Sequence, residues 1–192
     1  MRKLSAVLAI GLAGAIATPA QAAVLTWFTV LSGAQEFPVP SGSTATGTGM
    51  VQFDDVSNVL TLNLQWQGLT GAPGAAHIHC CVGSPPNNVG VALGLFGAGS
   101  GLGATDTFNA VYDLDLVNPF SGGFSAGTAL QKMNVLIGAM NAGGGRAYYN
   151  IHTVAFGGGE IRGNLVVPEP ATLSLLIGAL GLLVAGRKFA RS

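Results

Sequence analysis

Residues 59–66 read VLTLNLQW, and in them Leu60, Leu62, Leu64 and Trp66 alternate with Thr61, Asn63 and Gln65. Side chains on a β-strand alternate between faces, so this period of two predicts a strand with one apolar and one polar face. The same reading extends outward to 24–31, 47–53, 89–95, 108–114, 147–153 and 160–166, each flanked by Gly, Pro, Asn or Ser. Short strands separated by turn residues predict an all-β fold: a single antiparallel, β-sandwich-like domain. One segment breaks the pattern. Over 128–142, Leu130, Met133, Leu136, Ile137 and Met140 fall at helical spacing and Gly143-Gly144-Gly145 ends the run, which predicts one short amphipathic helix against an end or edge of the sheets. Its methionines read as core filler.

Composition limits the function classes. The 192 residues hold eight Lys+Arg, eight Asp+Glu and 30 glycines, with 8% charged residues. A chain so poor in clustered cations does not suit a nucleic-acid partner, which needs Lys and Arg to neutralise phosphates. Nor does it suit a long coiled coil or a charged disordered segment. No repeat of 20–50 residues marks a solenoid.

The ends carry their own signals. Arg2 and Lys3 precede an uncharged apolar run from Leu4 to Ala17, then Pro19 and the small-x-small tripeptide Ala20-Gln21-Ala22. That order predicts a secretory signal peptide over residues 1–22, with cleavage before Ala23 and export of the remaining chain. At the other end Pro168-Glu169-Pro170 precedes an uncharged stretch over 171–186, then Arg187, Lys188 and Arg191. As a helix the stretch spans about 24 Å, long enough with snorkelling basic residues to anchor the chain as a transmembrane helix. The basic tail then stays on the cytoplasmic side. Residues 167–192 resemble the PEP-CTERM sorting signal of Gram-negative bacteria in their Pro-Glu-Pro tripeptide, single hydrophobic helix and basic cluster. The resemblance implies processing by an exosortase-type transpeptidase near Pro168, Glu169 and Pro170, and delivery to the cell surface or an extracellular polysaccharide matrix. Between these ends, the body over 23–166 holds seven acids and three bases, a net charge of −4.

Three signatures lie within that body: Leu31-Ser32-Gly33-Ala34-Gln35-Glu36-Phe37-Pro38-Val39-Pro40, then Ala76-His77-Ile78-His79, then Asn150-Ile151-His152-Thr153 with Gly158-Gly159-Glu160-Ile161-Arg162-Gly163. In this order and spacing they resemble the CHRD domain, named for chordin and also found in bacterial exported proteins. The resemblance implies a β-sandwich-like extracellular domain with no catalytic residues to carry over. The chain departs from the family where Cys80-Cys81 stand after the His-x-His in place of the frequent Gly-Pro.

His77 and His79, two apart, project from one strand face while Ile78 points to the other. Paired imidazoles begin a Zn²⁺ or Cu²⁺ site, which needs about two further ligands. His152, alternating with Ile151, is the third candidate; Cys80 and Glu160 are weaker ones. At the level of a His-x-His strand this resembles the copper site of Cu/Zn superoxide dismutase, without the further histidines of that enzyme's two-metal site. The competing reading makes the histidines neutral hydrogen-bonding groups. Cys80 and Cys81, the only cysteines, are open to a strained disulfide with each other, to an intermolecular bridge, or to remaining packed thiols. Glu160 and Arg162, two apart, are expected to form a modest surface ion pair. Asp54-Asp55, Asp113 and Asp115 read as solvated strand ends, and no nucleophile or phosphate-binding motif is present.

These features support two functions. The first is a non-enzymatic, surface-sorted structural or binding protein of the envelope or matrix, with polysaccharide or surface proteins as partners. The alternative is a Cu- or Zn-binding domain built on His77, His79 and His152, with a redox role open to it.

Overall fold

The structure, a computed structural model, describes residues 23–81, 83, 87–142 and 146–168. The expected signal peptide, and the C-terminal anchor with its basic cluster, lie outside these residues. Among the described residues no helix is long and apolar enough to cross a membrane.

Among the described residues eight strands form one antiparallel sheet: β1 (Val24–Ser32), β2 (Thr46–Asp54), β3 (Val59–Gln67), β4 (Pro73–Cys80), β5 (Val91–Phe96), β6 (Asp106–Asp113), β7 (Ala147–Thr153) and β8 (Ile161–Asn164), in the order β5-β4-β7-β8-β1-β2-β3-β6. The expected all-β class is present. The two packed layers of a sandwich are replaced by one continuous sheet that rolls until its edges approach. Phe96 on the β5 edge packs against Phe108 on the β6 edge, with ring centroids 5.3 Å apart, and against Trp66 on β3 at 5.5 Å. Strand twist, which coils a wide sheet, accounts for the roll. Glycines permit it where backbones crowd. A Cβ at Gly163 would lie 2.5 Å from the Val30 carbonyl oxygen, so only glycine lets β8 lie this close to β1. Tyr149 of β7 lies across Gly49 of β2 and donates its hydroxyl to the Met50 carbonyl at 3.1 Å, joining strands three apart in the sheet.

The expected alternation of β3 is present: Leu60, Leu62, Leu64 and Trp66 are buried in the roll, with Trp27, Leu31, Val51, Ile78 and Ile151. Each such aliphatic side chain contributes about 1.5–3 kcal/mol of burial. The helix α1 (Ala129–Asn141) starts at Thr128, whose side chain accepts from the Gln131 backbone N–H while the Gln131 side chain accepts from the Thr128 N–H, a capping box. Met133, Leu136 and Met140 enter the core, and the Trp27 indole donates to Asn141 Oδ1 at 2.9 Å, tying the last turn to β1.

β4, β7 and β8 also build a second layer on the outer face of the sheet. Register aligns Ala75 with His152, His77 with Asn150, His79 with Tyr148, and Asn150 in turn with Arg162. Ile78, Tyr149, Ile151 and Ile161 therefore fill the core, while the histidines, Tyr148, Asn150 and Arg162 face away from it. The chain around Gly33–Ser43, the approach to β5 at residues 87–90 and the β7–β8 connection cover this face.

Candidate metal centre

The neighbouring antiparallel strands β4 and β7 carry His77, His79 and His152 to one place. One ligand atom from each lies within 4.8 Å of the others, and all three side chains are half-buried. His77 Nδ1 is 3.3 Å from His152 Nε2. The other contacts fix the tautomers. His79 Nδ1 lies 2.7 Å from the Val89 carbonyl oxygen and His152 Nδ1 lies 3.0 Å from that of Gly157. A carbonyl only accepts, so each of these Nδ1 atoms carries a hydrogen and each neutral ring keeps its lone pair on Nε2. His152 Nε2 accepts from His77 Nδ1, whereas His79 Nε2 is buried with no hydrogen-bond partner. A buried lone pair without a donor is costly unless something else occupies it.

The electrostatics keep the rings neutral. Burial, reinforced by the neighbouring imidazoles His152 and His79, lowers the pKa of His77 to about 4. Burial also lowers those of His79 and His152, against the carbonyl bonds that favour their charged forms. Neutral imidazole is the form that ligates metal.

Residues that sequence reasoning did not place at the histidines support this centre. The Tyr148 ring stacks on His79 with centroids 4.8 Å apart and planes 5° apart, and the Arg162 guanidinium sits 3.5 Å from the Tyr148 ring centre. Arg162 donates to Asn88 Oδ1 and to the Asn87 carbonyl, both at 3.0 Å, which holds the chain leading to Val89. Glu36, buried beside β7, accepts from Asn150 Nδ2 at 3.2 Å, while Glu36 Oε1 and Asn150 Oδ1 have no partner. Burial raises the Glu36 pKa to about 7, against the Asn150 hydrogen bond and the Arg162 charge. A neutral carboxylic acid would place a donor among these acceptors. Glu36 also lines a cleft of about 430 Å³ with Phe37, Phe156 and Gly157. The signal for Tyr148 and Asn150 was present in the sequence, since both share the strand parity of His152; Glu36 lies in the first signature, but its spacing gave no sign that its loop folds against Asn150.

Several expectations need correction. Glu160 does not approach the imidazoles. Its buried carboxylate accepts from Ser43 Oγ at 2.8 Å, from Thr70 N and Oγ1 at 2.9 Å each, and from Thr153 Oγ1 at 2.6 Å. Burial raises its pKa, but these four bonds outweigh that and hold it below the usual carboxylate range. Glu160 thus clamps the loops together. The expected surface ion pair with Arg162 is replaced by two buried side chains with separate partners. Cys80 is also removed from the ligand set: it is bonded to Cys81 as an intrachain disulfide. It has the parity of Ile78 and is buried on the core side of β4, away from the histidines. The peptide between the two cysteines is cis, with Cα atoms 3.0 Å apart.

Neither a curated protein nor a solved structure matches the chain. A family model does: the CHRD domain matches residues 27–165, which take in every strand from Trp27 of β1 to the end of β8 and all three histidines. The chain belongs to the CHRD domain family.

Proposed function

We propose that this CHRD domain is a metal-binding module whose centre is His77 Nδ1, His79 Nε2 and His152 Nε2, taking Zn²⁺ or Cu²⁺. The observation that carries the reading is the buried, unpartnered Nε2 of His79 beside two further imidazoles, with the opposite nitrogen of two rings anchored on a carbonyl. Such anchoring is how metal-ligating histidines are oriented. Two nitrogens 3.3 Å apart, each 2.0–2.1 Å from an ion, subtend about 107° at it, close to the tetrahedral angle. His77 would pass its Nδ1 hydrogen to Nε2, and the widest nitrogen pair, up to 4.8 Å now, would close by about 1.4 Å.

The module binds and does not catalyse in this reading, and it works outside the inner membrane. The order of residues 1–22 supports export, and the Pro168-Glu169-Pro170 segment with Arg187, Lys188 and Arg191 supports exosortase-type sorting to the surface or matrix. The Cys80–Cys81 disulfide suits an oxidising compartment. Equilibrium dialysis of the purified chain against Zn²⁺ and Cu²⁺ tests the metal. One ion per chain is expected, with affinity falling at least tenfold in His79→Ala and His152→Ala. No bound ion, or unchanged binding in both variants, would overturn the proposal.

A further inference from the structure

The rings that would hold the ion are all uncharged, and among the described residues the ligand cluster contains no carboxylate. A divalent ion placed there keeps its full double charge. Of the charged groups around it, Arg162 adds to that charge, while the carboxylates of Glu160 and Glu36 are held by other partners. Arg162 stacks on the far ring of the Tyr148–His79 pair, and both its hydrogen bonds end on neutral oxygens of Asn87 and Asn88. Glu160 spends its carboxylate on Ser43, Thr70 and Thr153. Glu36 sits under Gly159, paired with the Asn150 amide. Three imidazoles also leave the fourth tetrahedral position open, and there is room beside them. Gly94 of β5 lies across from His77, and a Cβ added there, or at Gly157 or Gly158, would meet nothing within 4 Å.

We infer that the loaded centre takes a small oxyanion of the bicarbonate or carboxylate class as its fourth ligand, drawn in by the uncompensated metal charge and the field of Arg162. The inference rests on the metal reading above. An anion at the open position neutralises part of the charge that the protein ligands leave exposed, which a water molecule does less well. Arg162 does not touch the anion; it acts through space, over roughly 10 Å, where one unit charge changes binding about four- to fifteenfold at an effective dielectric of about 20–40.

The test uses the full-length chain in mild detergent, loaded with Cu²⁺. Azide serves as a chromophoric probe and formate as the oxyanion, and the readouts are the azide-to-copper charge-transfer band and the copper electron paramagnetic resonance spectrum. Saturable azide binding at one site, reversed by formate, is expected. Arg162→Gln should weaken both anions about four- to fifteenfold, compared at saturating copper because Arg162 also holds the chain that anchors His79, and Arg162→Lys, which keeps the charge, should restore most of the loss. Copper that binds but gives spectra indifferent to azide and formate would overturn the inference and leave the metal reading standing. Anion affinity equal in the parent and both Arg162 variants would remove the role of Arg162. Failure to bind copper at all would instead overturn the metal reading on which the inference is built.

Discussion

Replacing Glu36 by Gln tests whether the layer around the histidines is held by a neutral acid. In the folded chain burial sets the Glu36 pKa to about 7, against an ordinary value of 4.5. A carboxyl whose pKa is raised on folding contributes stability that is fully present below its unfolded pKa and is lost as pH rises through the folded one. The cost is therefore absent near pH 4, grows between 4.5 and 7, and is complete above 7. A gap of this size corresponds to about 3 kcal/mol, and water at the mouth of the Glu36 cleft reduces it to about 1–2 kcal/mol. The introduced amide has no proton to lose. Its NH₂ would donate to Asn150 Oδ1, which now lacks a donor, while its oxygen keeps the bond from Asn150 Nδ2. The histidines pull the other way: with pKa values lowered by burial, they cost the fold stability as pH falls below about 6.5, but equally in both proteins. The difference between variant and parent isolates Glu36. Urea unfolding followed by fluorescence of the buried Trp27 and Trp66 at pH 4.5 to 8.5 measures it. Glu36→Gln should match the parent at pH 4.5 and exceed it by about 1–2 kcal/mol at pH 8. Parallel curves, or a variant less stable at pH 8, would refute the neutral-acid account.

Gly163→Ala should destabilise the fold by about 2–4 kcal/mol, because the added methyl meets the Thr29 hydroxyl and the Val30 carbonyl of β1, whereas Gly71→Ala, with open space around it, should stay within about 0.5 kcal/mol; thermal unfolding compares them. Alkylation of the unfolded, unreduced chain followed by mass spectrometry should label neither cysteine, and two labels should appear after reduction; labelling before reduction would contradict the Cys80–Cys81 disulfide.

Local chemistry made much of the fold legible. The leucines of β3 alternate strictly, and the helix begins on Thr128 and stops at a glycine run, so periodicity was enough for both. β4 gave a weaker signal: Pro73-Gly74-Ala75-Ala76 has no large apolar residue to alternate, and its small side chains allow close packing, with Ala76 fully buried. The rolled sheet was hidden because it depends on contacts such as Tyr149 over Gly49, about a hundred residues apart in the chain. At the site, parity placed His77 and His79 together and paired His152 with a buried Ile151. The same parity should have removed Cys80, which comes directly after His79 and so faces the core. Glu160 misled because it precedes β8, where the backbone is still turning, so the two-residue spacing to Arg162 does not give a shared face. Glu36 was beyond reach, since its environment is made by a loop folding over Asn150 from 114 residues away.

The central claim is that three imidazoles, from β4 and β7, hold one ion. X-ray absorption at the zinc edge of the Zn²⁺-loaded full-length chain measures this most directly. The account predicts three nitrogen scatterers at 2.0–2.1 Å with the outer-shell pattern of imidazole, one oxygen ligand in the fourth position, and loss of one imidazole in His152→Ala. A shell containing sulfur at about 2.3 Å, or one with fewer than three imidazoles in the parent chain, would contradict it.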